Sequence, residues 1–246
     1  MSAALQDPAP APLLRAEKVG KRFGGFVALA EVDLVLRPGE RLGLIGPNGS
    51  GKSTFVNCIS GDFAQHDGSV TLAGAKLDGL KPHARARRGL ARTFQLPQPF
   101  RSLTVLENVR VPLLFGGHAA DATERAMACL EQVELAAKAA RLPRELTQVE
   151  QRRLELARAI ALDPQLLIAD EAMAGLSHAE VDQIIALLLR LNAAGTAVIM
   201  IEHIMRAVTE FSERLIVFVA GRKIADGAPR EVLAMPEVEG AYLGKQ

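Results

Sequence analysis

Apolar and polar positions alternate through Val32–Leu36 and predict a strand, Arg37–Glu40 a turn, and Arg41–Ile45 a second strand. A glycine-rich turn leads into a predicted helix, Lys52–Ser60, stopped by Gly61. Ser69–Leu72 predicts another short strand. The middle of the chain changes period. Thr104 with Glu107, Asp121 with Glu124 and Thr147 with Glu150 have capping-box spacing, in which the first side chain and the glutamate satisfy orphan backbone N–H groups. Residues 96–161 therefore read as all-helical. Alternation then returns. Leu166–Asp170 is a fully apolar run ending in a carboxylate, the pattern of a parallel strand buried on both faces. Ser177 and Glu180 start a helix that Gly195 ends; Thr196–Ile201 is a strand, Met205–Phe211 a short helix and Arg214–Val219 a strand. Gly221 makes a turn before Lys223–Ala225, and Pro229 suits the first position of a last helix. The expectation is an α/β fold, with a sheet core over 13–95 and 162–246 and a helical insertion over 96–161. A proline-rich leader, 1–12, reads as extended and poorly ordered.

Composition narrows the function classes. Among 246 residues, 29 Lys+Arg against 28 Asp+Glu give a net charge of +1, so nothing electrostatic points to nucleic acid as a partner. With no Trp and one Tyr, the chain also lacks the stacking surface of a single-strand binder. Two cysteines, Cys58 and Cys129, exclude a disulfide framework or a multi-cysteine zinc site and read as small buried hydrophobes. The longest apolar candidate, Ile184–Ile201, is broken by Arg190 and Asn192, so no membrane-crossing helix is expected. The first residues lack the charged and apolar segments of a secretory signal, which makes a cytoplasmic location the expectation.

The chemistry sits between the second strand and the first helix. Gly46-Pro47-Asn48-Gly49-Ser50-Gly51-Lys52-Ser53 has the spacing G-x-x-x-x-G-K-[ST] in the strand-to-helix setting that this pattern requires. Glycines let the backbone curl so that successive N–H groups face one anion, and the helix N-terminus adds its positive dipole end. Lys52 brings a point charge to the β- and γ-phosphates, the Ser53 hydroxyl can ligate Mg²⁺, and Thr54 can donate to the α-phosphate. A bare glycine turn would not need Lys-Ser at that register. Asp170 and Glu171, at the end of the apolar strand, supply the second half: Asp170 can hold Mg²⁺ through water, and Glu171, expected to point the other way along the pleat, can take a proton from water attacking the γ-phosphate. Gln95, expected at the end of a strand Ala91–Gln95, can sense Mg²⁺ and the attacking water. His203, after Val198–Glu202, can hydrogen-bond the γ-phosphate.

Together these residues resemble the nucleotide-binding subunit of an ATP-binding-cassette (ABC) transporter, from about Leu14 to Ala234. Lys21–Leu29, Ala91–Gln95, Phe100–Val109 and Gln151–Arg158 make the chain most similar to the ATPases of importers for branched-chain amino acids, other hydrophobic amino acids and urea. The resemblance implies a P-loop NTPase core with a mixed sheet, an antiparallel β subdomain and an inserted helical subdomain. It implies ATP and Mg²⁺ as cofactors, two membrane permease subunits, a second cassette ATPase (a heterodimer rather than a homodimer), an extracytoplasmic binding protein, and a peripheral place on the cytoplasmic face of the membrane. It also assigns Phe23 to the adenine-stacking position and Ala174–Ser177 to the loop that crosses to the partner cassette. The helical insertion becomes the arm facing the permeases, and the segment after Gln95 lines the groove for their coupling helix. The basic stretch Lys81–Arg92 reads as a solvated helix leading to Gln95.

The likeness has departures. The family signature Leu-Ser-Gly-Gly-Gln falls on Leu146-Thr147-Gln148-Val149-Glu150, so its second glycine has become Val149. Thr147 and Glu150 keep the helix start, yet valine would crowd the backbone approach to a γ-phosphate bound on the partner. Ala172 and Ser177 stand where many members carry Pro and Asn or Asp, and the insertion is short. Two other functions remain open: an ATP-binding regulatory subunit with weak hydrolysis, and a soluble cassette ATPase outside transport.

Overall fold

The computed structural model describes residues 11–95 and 98–243; the proline-rich leader lies, but for residues 11 and 12, outside them. The chain opens with a hairpin, β1 (Leu14–Phe23) and β2 (Phe26–Leu36), turning at Gly24-Gly25. The Gly-Gly pair between β-rich runs is a hairpin signal that the strand reading above did not use. Then follow β3 (Arg41–Ile45), α1 (Lys52–Ser60), β4 (Asp67–Leu72), β5 (Ala75–Lys76), α2 (Pro82–Ala86) and β6 (Leu90–Arg92). Next come α3 (Val105–Gly116), α4 (Ala122–Gln132) and α5 (Gln148–Ile160), so among the described residues helices and turns alone fill the stretch from β6 to β7 (Leu166–Asp170). The chain ends with α6 (His178–Ala193), β8 (Ala197–Ile201), α7 (Met205–Phe211), β9 (Arg214–Val219), β10 (Arg222–Gly227), α8 (Pro229–Leu233) and α9 (Pro236–Leu243).

Two sheets result. One is antiparallel, in the order β2-β1-β4-β5; the other is mixed, β10-β9-β3-β8-β7-β6, parallel except for the β9–β10 hairpin. Every residue of β7 and of β8 is buried. Their alternation divides the core. Leu166 and Ile168 face α1 and the antiparallel sheet, whereas Leu167 and Ala169 face α3 to α6. A strand covered on both faces has no need of polar positions, which is why β7 carries none before its terminal Asp170.

Helix boundaries follow local chemistry where it is complete. α1 runs between Gly51 and Gly61, both left-handed, as the glycines imply. Thr104 and Thr147 each form the reciprocal box with Glu107 and Glu150. Asp121 does not. Its backbone, at φ −117 and ψ 11, lacks the extended geometry of a cap, and its carboxylate lies 3.9 Å from Arg125 instead. The thiols of Cys58 and Cys129 are both buried, and burial pushes each up to about 11.

The Lys81–Arg92 stretch departs furthest from expectation. Its helix is only the short α2, its last three residues form β6, and Arg85 is 1% exposed rather than solvated. Its guanidinium closes the C-terminal end of α1, donating to Cys58 O at 2.8 Å, Ile59 O at 2.6 Å and Leu80 O at 3.1 Å. An arginine can be buried when its donors meet orphan helix carbonyls. Arg85→Ala is expected to lower stability by about 2–4 kcal/mol through a cavity and unpaired carbonyls. The denaturant midpoint measures this, and an unshifted midpoint would show that water replaces the guanidinium at no cost.

Candidate functional site

The turn from β3 to α1 is held by the β9–β10 turn and β2. Ser50 O accepts from Gly221 N–H at 2.9 Å, and Gly221 O accepts from Ala30 N–H at 2.9 Å, so the β9–β10 turn clamps the loop against β2. Two glycines are there for space. A Cβ on Gly46 would lie 2.2 Å from Phe218 O, and one on Gly51 would lie 2.9 Å from Ala28 O. Their φ values of +152 and +103 suit glycine as well. The first N–H bond of α1 joins Phe55 to Gly51 at 2.9 Å, which leaves the N–H groups of Lys52, Ser53 and Thr54 at the open helix end. Asn48, Gly49 and Ser53 are exposed there, Gly46, Pro47, Lys52 and Thr54 half-buried, and Ser50 buried. Lys52 Nζ folds back over the loop, donating to Gly46 O at 2.7 Å and Pro47 O at 3.1 Å. Burial lowers its pKa, while Glu171 and Asp170 act to hold it up.

The sheet order brings the second half alongside. β8 lies between β3 and β7, with Asp170 opposite Ile201, and β6 flanks β7 on its other side. Asp170 is buried, with its N–H on Thr93 Oγ1 at 3.1 Å and its Oδ2 on Arg92 Nη2 at 2.7 Å. Glu171 does not follow the pleat. The strand ends at Asp170, and Glu171 adopts φ +47, a left-handed conformation that costs a non-glycine residue about 1–3 kcal/mol. Its N–H bonds to Ile201 O at 2.9 Å, and its Oε2 accepts from Gln95 Nε2 at 2.5 Å. Gln95 is not on a strand either: β6 stops at Arg92, and Gln95 lies in a bend three residues on. His203 stands exposed on the loop after β8, its Nδ1 3.9 Å from Glu202 Oε2. Phe23, at the hairpin tip, packs edge-on against Phe63 from the loop after α1, centroids 5.5 Å apart, with Lys21 Nζ 5.3 Å from its ring.

Thr147 and Gln148 are exposed at the start of α5, and Gln148 Nε2 reaches Ala174 O at 3.4 Å. Val149 is half-buried against the core formed by α3 to α6. Part of the isopropyl group therefore points inward, and only the remainder can crowd a neighbour. Sequence reasoning missed three buried charges nearby. Arg152 donates to Phe94 O at 3.2 Å, Glu155 accepts from Phe94 N–H, and Glu202 accepts from Met173 N–H at 2.9 Å. They tie the segment before Gln95 to α5, and the loop after Glu171 to the end of β8. A charged residue in an otherwise apolar helical period was the signal for the first two.

Ser53, Gln95 and Asp170 offer oxygen donors only, a set that fits a hard divalent cation. Among the described residues no group of three His, Cys, Asp or Glu could hold a metal by itself. A Mg²⁺ that shares its ligands with substrate phosphates needs no more than one protein carboxylate.

The family described as ABC transporter matches residues 29–174. The chain is also 38% identical, over 95% of its own length and 98% of the other's, to the high-affinity branched-chain amino acid transport ATP-binding protein LivG of Salmonella typhimurium. This protein belongs to the ABC transporter family. As an ABC ATPase it is similar in structure to an ATP-binding cassette of an ABC transporter solved in its ADP conformation, with TM-score 0.87, 31% identity, and coverage of 96% of this chain and 100% of that one. It is also similar to a dimeric cassette in a post-hydrolysis state with ADP and Pi bound, with TM-score 0.79, 30% identity, and coverage of 88% and 99%. No helix among the described residues is long and apolar enough to cross a membrane.

Proposed function

We propose that this ABC ATPase powers a membrane importer for branched-chain or other hydrophobic amino acids, by ATP-driven closure and opening of a cassette dimer. The near full-length likeness to a branched-chain amino acid transport ATP-binding protein carries the reading. In it, residues 13–95 and 162–246 form the nucleotide-binding core and 96–161 the arm that faces two permease subunits, on the cytoplasmic face of the membrane. Arg92, Phe94, Phe100, Pro112 and Arg158 line a groove between the arm and the core that suits a short helix from a permease. An extracytoplasmic binding protein delivers the substrate.

The geometry supports a role for each residue in this reading. Phe23 supports the adenine. The Gly46–Gly51 backbone, Lys52 and the N–H groups of Ser53 and Thr54 cradle the phosphates, and Lys52 exchanges Gly46 O and Pro47 O for phosphate oxygens, which are the stronger acceptors. Ser53, Gln95 and Asp170 would hold Mg²⁺, which neutralises charge on the β- and γ-phosphates. Glu171 takes the proton of a water whose oxygen bonds to the γ-phosphorus as the bond to ADP breaks. Gln95 orients that carboxylate, and His203 donates to the γ-phosphate.

Thr147, Gln148, Val149 and Glu150 face the partner's ATP. This chain therefore contributes a complete P-loop and base to one composite site and an altered signature to the other. The partner is a different cassette, and this chain's Glu171 carries most turnover in the pair. Substituting the partner's equivalent glutamate should cost little, and Val149→Gly should raise the rate of the second site. The half-buried valine sets a limit on that gain, because glycine at this helix position also forfeits about 1 kcal/mol. Equal losses from the two glutamate substitutions, with Val149→Gly silent, would remove the asymmetry. Purification of the chain from membranes with mass identification of its partners, followed by ATP-dependent leucine uptake in vesicles reconstituted from them, tests the whole reading. ATP-dependent uptake of leucine supports it. Co-purification without a permease would favour a soluble ATPase, and a complex that binds ATP without turnover would favour a regulatory subunit.

A further inference from the structure

Arg92, the last residue of β6, belongs to the basic stretch that read as solvated. Its side chain is only 11% exposed, and it engages four acceptors at once. Nη2 donates to Asp170 Oδ2 at 2.7 Å, while the two N–H groups of Nη1 are shared among Asn57 Oδ1 at 2.6 Å, Asp62 Oδ2 at 2.9 Å and Ser60 Oγ at 3.0 Å. Asn57 and Ser60 are on α1, the helix whose other end carries Lys52, and Asp62 follows it. The Asp170 side chain is 9% exposed, so the pair is shielded from water.

We propose that Arg92 is a positioning residue that latches Asp170 in a cation-paired state and so sets how much Mg²⁺ the nucleotide site requires. The proposal rests on the reading of Asp170 as a Mg²⁺ ligand. A guanidinium at hydrogen-bonding distance satisfies one carboxylate oxygen and cancels the charge that would draw a divalent cation, the same charge for the same site. Release would ordinarily strand a buried arginine, which is costly. Here the cost is limited, because the Asp62 carboxylate still faces the guanidinium and Nη1 keeps Asn57, Ser60 and Asp62 as acceptors when Asp170 turns to the metal, so that Nη2 alone gives up its partner. Asp170 needs no arginine to hold its backbone, which is fixed by the β7–β8 ladder and by Thr93 Oγ1. The arrangement is a latch with its resting place built in.

The test titrates Mg²⁺ against binding of a fluorescent ATP analogue by the full-length chain, with affinity in EDTA as the metal-free reference. Removing a unit charge at this distance in a partly shielded site is expected to lower the half-saturating Mg²⁺ of Arg92→Met by about 5- to 10-fold. Arg92→Lys, which keeps a charge but loses the fork, is expected to fall between, and binding in EDTA to stay within about twofold, which a general disturbance of the fold would not allow. An unchanged or higher Mg²⁺ requirement in Arg92→Met overturns the latch; should that variant fail to fold, the presence or absence of a shift in Arg92→Lys decides. Asp170→Asn separates the two layers. If it raises the Mg²⁺ requirement while the arginine variants do nothing, the latch alone fails; if it leaves the requirement unchanged, the magnesium role of Asp170 fails and the latch with it.

Discussion

Glu171→Gln is expected to lower ATP turnover by about 10²–10⁴-fold, the usual cost of losing a general base, with nucleotide binding retained. The substitution changes one atom of the carboxyl group. The left-handed backbone at residue 171, the N–H bond to Ile201 O and the side-chain contact with Gln95 can all persist, so the shape of the site is kept. What disappears is the capacity to accept a proton from water. The cassette pair should then close on ATP and fail to reopen, and a stable ATP-bound dimer should accumulate in size-exclusion chromatography. Turnover at the parent rate would place the base elsewhere, with His203 and Glu202 the next side chains around the same strand ends that can accept a proton.

Lys52→Ala has the second large effect. Turnover should fall by more than about 10³-fold, since the substitution removes both a positive charge and a donor from the phosphates whose charge develops in the transition state. Nucleotide affinity should weaken as well, which distinguishes this variant from Glu171→Gln. The fold should be preserved. Lys52 is half-buried, and the carbonyls it bonds, Gly46 O and Pro47 O, belong to a half-exposed loop where water can replace the ammonium. Parallel measurement of melting temperature, nucleotide binding and phosphate release checks all three statements. Near-normal hydrolysis would detach the glycine-rich loop from the chemistry.

The two variants test different ranges of the chain's information. Lys52 sits inside eight contiguous residues whose spacing carries a mechanism, and such a loop needs only its own strand and helix to be recognisable. The same holds for α1, bounded by Gly51 and Gly61, for the boxes at Thr104 and Thr147, and for β7 and β8, whose unbroken apolar runs admit few places other than the middle of a covered sheet. Each is a local matter of backbone freedom, orphan N–H groups or burial, and was legible from the residues alone. The antiparallel sheet was read less fully, because the register shifts in β1 between Ala16 and Lys21 interrupt the alternation that marks a strand.

What the tertiary structure alone decided are the contacts that cross from one segment to another. Gln95 meets Glu171 and Arg92 meets Asp170 only because the order β3-β8-β7-β6 sets the ends of those strands side by side, and nothing in the spacing of either segment announces its partner. Arg85 and Arg92 look like surface charges in a basic run, and they are buried because helix carbonyls and carboxylates from distant segments happen to meet their donors. Asp121 has the spacing of a cap and lacks the backbone angles. Val149 has the position of a signature residue and turns partly into the helical core. In each case the residue type was plain in the sequence, and the partner that gives it its role was supplied by the packing of two sheets and an inserted arm, which no local pattern encodes.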